Sequence, residues 1–155
     1  MVSPIIINGS AGPRFFFNLD GNVGPNSPNR PDDVQFVQLG YLAASRNPKV
    51  KATQAARELF AKVVPGTPYN GAPNDPLTLA ISAHEAGRGG PRDGHVSVVR
   101  GGTGSYDGTH SYIVISLNNN LIDTMLDDFP RIDKNAQCPA ELRLRVRKIL
   151  LGNSG

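Results

Sequence analysis

The chain has 155 residues, a length that fits one globular domain with a real core and excludes a large multidomain enzyme. Gly 17 and Pro 13 together make up about a fifth of it, so loops and turns are plentiful. Lys+Arg 16 against Asp+Glu 13 leaves a net charge of +3, too mild and too dispersed for a nucleic-acid footprint, and with no Trp the aromatic platforms that hold bases or sugars are sparse.

Residues 4–8 and 14–19 are two β-prone runs, carrying Ile5, Ile6 and Ile7 in the first and Phe15, Phe16 and Phe17 in the second. They are expected to pair as a hairpin across 9–12. Pro4, Gly9, Gly12 and Pro13 break this stretch and no basic segment precedes it, so it does not read as a secretory signal. Nothing in the chain approaches the roughly 18 apolar residues of a membrane span. Residues 22–30, rich in Pro, Asn and Gly, read as an extended lead-in loop.

A helix is expected to open at Asn29 or Arg30, because Pro31 suits a first turn and Asp32 and Asp33 favour the positive helix end. Val34, Val37, Tyr41 and Leu42 share its face. Pro48 closes it, and a second helix over 49–64 places Ala52, Ala55, Ala56, Leu59, Phe60 and Val63 on one stripe. After Pro65, Gly66 and a turn-rich connector, a third helix opens with Asp75 as N-cap and Pro76 in the first position. Leu77, Ala80, Ile81 and His84 lie on its inner face.

Beyond residue 90 the pattern turns strand-like. Val96 and Val98, then the β-branched run 112–117, predict a second hairpin whose Gly-rich tip over 101–110 is a natural recognition loop. Asn118, Asn119 and Asn120 close its second strand. Pro139 opens a last helix with Leu142, Val146, Ile149 and Leu150 inward and Gly152 as the stop. Its Arg143, Arg145, Arg147 and Lys148 read as a solvated amphipathic face, with Asp123, Asp127 and Asp128 close enough in sequence to pair with part of that charge.

Two blocks carry a family resemblance. Residues 23–38, with Pro28, Pro31, Asp33, Val34, Val37 and Gln38, resemble the opening of the peptidoglycan-binding-domain-like modules attached to many bacterial wall hydrolases. Residues 70–85, with Gly71, Pro76, Thr78, Ala80 and Ile81, resemble the later signature of the same modules. Asn70, Asp75, His84 and Glu85 stand where that family usually has Asp, Gly, Phe and Gln. The resemblance spans about residues 22–87 and implies a small three-helix bundle, with Val34, Val37, Leu42 and Ile81 in its core. The organisation expected is therefore α+β: a β-prone arm over 1–21, the helical bundle over 22–87, and a β-hairpin plus C-terminal helix over 88–155, packed as one domain.

Catalytic patterns are weak. His84, His95 and His110 lack the one-turn histidine spacing of a zinc helix, so no metal ligand set is assigned and no cofactor is expected. Ser105 lies between glycines without the strand–turn–helix setting of a nucleophile elbow. Cys138, the single cysteine, precedes a helix start but reads as buried packing.

The function that the resemblance implies is non-enzymatic binding of peptidoglycan, with Tyr69, Asn70 and His84, and Tyr106 and Asp107 on the loop, as ligand contacts. The rival expectation is a structural protein that assembles with its own copies or a larger bacterial particle (a secretion, phage-tail-like or filament component) through Ile5, Ile7, Phe15 and Phe17. A third is an envelope-targeted hydrolase or effector built on the histidines. With no signal peptide expected, the chain would be made in the cytoplasm and reach a wall by a non-classical or contractile route.

Overall fold

The computed structural model describes residues 1–9, 12–88, 92–100 and 112–152. Strands β1 (Ser3–Gly9) and β2 (Gly12–Asn18) pair antiparallel, with Ile5 opposite Phe16 and Ile7 opposite Arg14. The two apolar triplets form the expected hairpin, but their side chains are largely used by the chain itself. Ile7 is 3% exposed and Phe17 0%, and the Phe17 ring meets Phe36 at 5.8 Å and Phe129 at 5.9 Å. Ile5 and Phe15 are half-buried against the same core. Ile7 and Phe17 are therefore core anchors of the hairpin, where the assembly expectation had them as interface residues.

Helix α1 (Pro31–Arg46) is buried along most of its length, and it is the axis of the molecule. Pro31 sits in its first turn and the carboxylates of its N-terminus are spent on preceding backbone: Asp33 accepts from Asp20 N–H and Gly21 N–H, and Asp32 accepts from Val2 N–H at 2.7 Å. Helix α2 (Gln54–Ala61) starts at Thr53, whose hydroxyl accepts from Ala56 N–H. It is shorter than the 49–64 expected, because residues 47–50 turn around the Asn47 side chain, which accepts from Lys49 N–H. Helix α3 (Pro76–Gly87) begins as predicted, with Asp75 Oδ1 accepting from Leu77 N–H at 2.8 Å. Packing of α2 against both α1 and α3 gives the helical cluster expected over 22–87.

The C-terminal hairpin is corrected. Residues 113–125 form helix α4 (Ile113–Met125), and among the described residues Val96 makes a single bridge, to Val23. The β-branched run suits a strand locally, but as a helix it buries Ile113, Val114, Leu117 and Leu121 against the core, and tertiary burial overrides propensity. Gly40 of α1 lets α4 come close: a Cβ there would lie 2.7 Å from Leu117 Cβ. Helix α5 (Ala140–Leu151) packs on α1 and ends at Gly152, left-handed at φ 64°. Among the described residues the architecture is thus α+β: five helices around one core and a two-stranded antiparallel sheet.

Candidate functional site

The end of α1, the 47–53 turn, α2, α3 and α4 enclose a cleft of about 630 Å³. Its two sides differ in chemistry. Ala55, Ala56 and Leu59 of α2 and Ala83 of α3 form an apolar side whose small side chains leave the space open. Ser116, Asn119, Asn120 and Asp123 of α4 form the polar side; they fall at i, i+3, i+4 and i+7, one face of a helix. The opposite face of α4 carries Val114, Leu117 and Leu121 into the core, so the same turn geometry positions both.

At the inner end Tyr41 and His84 meet. The Tyr41 hydroxyl lies 2.9 Å from His84 Nδ1, and the imidazole stands edge-on to the rings of Tyr41 and Phe60, 5.6 and 6.3 Å away. Burial keeps the Tyr41 hydroxyl protonated far above its ordinary range. Burial, with the nearby Arg88 charge, pushes His84 down to about 4, so its ring is neutral at physiological pH. Kept protonated and with Nδ1 as its one partner among the described residues, the phenol is best satisfied by donating to Nδ1. That leaves the imidazole proton on Nε2, which has no partner among the described residues.

Asn47 fixes the other end. Its Nδ2 donates to Asn120 Oδ1 at 3.2 Å and to Asp123 Oδ2 at 3.0 Å, while Arg57 donates to the carbonyls of Asn47 and Val50. Lys49 reaches Asp123 at 3.7 Å across the exposed rim. Ser116 and Asn119, by contrast, have no side-chain hydrogen bond among the described residues. The cleft thus offers neutral hydrogen-bonding groups beside a small-residue apolar wall.

Of the ligand contacts read from the sequence that lie among the described residues, only His84 lines this cleft. Tyr69 is engaged elsewhere, its hydroxyl 2.8 Å from Thr78 Oγ1, and Asn70 turns its own connector by accepting from Ala72 N–H. Tyr106, Asp107, His110 and the Gly-rich tip lie outside the described residues. Sequence reasoning missed Asn47, Ser116, Asn119 and Asn120. The signal for the last three was their helical spacing, hidden once 112–117 was read as a strand.

Other chemistry-bearing groups among the described residues serve the fold. Glu85, pushed upward by burial and then by Asp93, accepts from the N–H groups of Asp93 and Gly94. Asp133 is held below the usual carboxylate range by Arg131, with Arg147 also donating to it. Burial pushes the Cys138 thiol up to about 11, which disfavours the thiolate. The α5 arginines read as a solvated face are in fact staples: Arg143 donates to Cys138 C=O and Arg145 to Val2 C=O. Among the described residues no group of three or more His, Cys, Asp and Glu is placed to hold a metal ion, and no helix is long and apolar enough to cross a membrane.

No protein-family model, curated protein or solved structure matches the chain.

Proposed function

We propose that this chain is a non-enzymatic binding module, that the cleft between α1, α2, α3 and α4 holds its ligand, and that the ligand is a segment of bacterial peptidoglycan. The observation that carries the binding reading is the cleft itself, about 630 Å³, with one side of small apolar residues and the other of hydrogen-bonding groups, two of them unengaged. The buried ionisable groups outside it are committed to backbone contacts or ion pairs, which favours recognition over acid–base or nucleophilic chemistry. The choice of peptidoglycan rests on the two sequence blocks over 22–87. The test is co-sedimentation with purified peptidoglycan sacculi: retention of the folded protein in the pellet supports the reading, and complete recovery in the supernatant contradicts it.

Self-assembly, or docking on a larger particle, is the second reading. Leu144 and Leu151 favour it, standing seven residues apart on α5 at 53% and 54% exposure. The strands favour it less. The peptide groups of Phe17, of its register partner Pro4, and of Pro13, four residues before Phe17 on the same strand, face away from the partner strand, so each outer edge of the sheet carries a proline that lacks an N–H to donate. Light scattering over a concentration series separates the readings, because growth in mass with concentration supports assembly and a constant monomer mass supports the cleft.

A further inference from the structure

The cleft distinguishes between the two components of a glycopeptide. Saccharide sites use exposed aromatic faces, and the two rings nearest the cleft, Tyr41 and Phe60, are 0% and 3% exposed, so neither offers a face for stacking. What the cleft does present suits a polypeptide backbone. Among the described residues Asn119 and Ser116 have no side-chain partner on one side, and the alanines of α2 and α3 stand on the other.

The molecule already uses asparagine amides in this way. Asn118 accepts from Phe17 N–H and donates to Phe17 C=O, both at 2.8 Å; Asn18 treats Val99 alike, at 3.0 and 3.0 Å, and Asn29 treats Gly24 alike, at 2.8 and 2.8 Å. In each case one side-chain amide pairs with both polar groups of a backbone residue, as a neighbouring strand would. Asn119 is the next residue after Asn118, turned to the cleft. Charge on the rim adds a preference: of its two lysines, Lys49 reaches Asp123, and Lys51 makes no ion pair among the described residues.

Resting on the peptidoglycan reading, we infer that the part of the ligand recognised in this cleft is an extended peptide of small apolar residues bearing a carboxylate, its backbone paired to Asn119 and its side chains against the alanine wall. Ser116 and the Nε2–H of His84 supply further neutral contacts, and Lys51 on the rim faces the carboxylate.

The probe is N-acetyl-trialanine with a free carboxylate, followed by backbone-amide NMR shifts of the full chain at millimolar concentrations, with its C-terminal amide and tri-N-acetylchitotriose as the comparison arms. The expected result is saturable shifts on cleft residues of α2, α3 and α4. Asn119→Ala weakens binding about three- to tenfold, the loss of neutral hydrogen bonds. Ala55→Leu, at an exposed position on the apolar wall, removes the shifts by filling the space. The amidated peptide binds about two- to fivefold more weakly, as exposed charge pairs allow. Unchanged melting temperatures of both variants show that they remain folded.

The inference is overturned if trialanine produces no saturable shifts, if the shifts survive both substitutions, if the amide binds as well as the acid, or if chitotriose occupies the cleft and trialanine does not. Retention on sacculi with no trialanine binding ends the peptide inference and leaves the peptidoglycan reading standing. Trialanine binding with no retention on sacculi supports the peptide site and ends the peptidoglycan reading.

Discussion

Asn118, inside α4, grips the peptide group of Phe17 on β2 with both ends of its amide, accepting from the N–H and donating to the C=O at 2.8 Å each. The same Nδ2 donates to Val114 C=O, and Asn118 is fully buried. One side chain thereby caps the outer edge of β2 and joins residues 101 positions apart in sequence. Replacing Asn118 by Ala leaves two buried backbone groups unpaired and is expected to cost about 2–4 kcal/mol in chemical denaturation. Asn119→Ala, on the neighbouring cleft face, is expected to change stability by less than about 0.5 kcal/mol. Equal effects at the two positions would contradict the division of α4 into a structural and a ligand face.

Gly40 reverses an ordinary rule. In an exposed helix Gly→Ala gains up to about 1 kcal/mol. Here the added methyl would lie 2.7 Å from Leu117 Cβ, so α1 and α4 must separate. Overpacking of this kind costs about 1–3 kcal/mol, and Gly40→Ala is expected to lower the melting temperature where helix propensity alone would raise it.

His84 sets a pH dependence whose sign follows from its environment. Its folded value, pushed down to about 4, lies below the ordinary 6.5 of the unfolded chain, so between these values the unfolded state binds the extra proton. The stability that neutral His84 contributes is fully present above about pH 6.5 and is lost as pH falls toward 4, up to about 3 kcal/mol in all. Glu85 and Asp33, both raised by burial, act with the opposite sign, so the comparison must be with a variant in the same background. Asn at position 84 keeps an acceptor for Tyr41 without titrating. Wild type is expected to lose stability relative to His84→Asn between pH 6.5 and 4; parallel curves would contradict the buried neutral imidazole.

Cys138 is expected to be unreactive in the native state. It is buried, and with the thiol pushed up to about 11 only about one molecule in a thousand carries a thiolate at pH 8. Labelling by a chromogenic disulfide reagent should be slow in buffer and complete at once in denaturant. Rapid native labelling would place the thiol at the surface.

Much of this fold is legible where punctuation is local. Pro31 with Asp32 and Asp33, Asp75 with Pro76, and Gly152 mark helix ends by interactions within a few residues, and the structure places α1, α3 and α5 there. The β1–β2 hairpin follows from two apolar runs separated by glycines. Helix α4 is not legible in the same way, because the local preference of Ile113, Val114 and Ile115 for strand is overruled by burial against α1 and by the distant Phe17 peptide. The cleft is less legible still. His84 could be singled out as a lone polar group on an apolar face, but its neighbours Asn47, Ser116 and Asn119 come from separate elements, and their convergence is a property of packing.

The most direct test of the cleft as the peptidoglycan-binding site is co-sedimentation with purified sacculi of wild type and Ala55→Leu side by side, their melting temperatures matched. The account predicts wild-type protein in the pellet and the variant in the supernatant. Equal retention of both, or no retention of wild type, would contradict it.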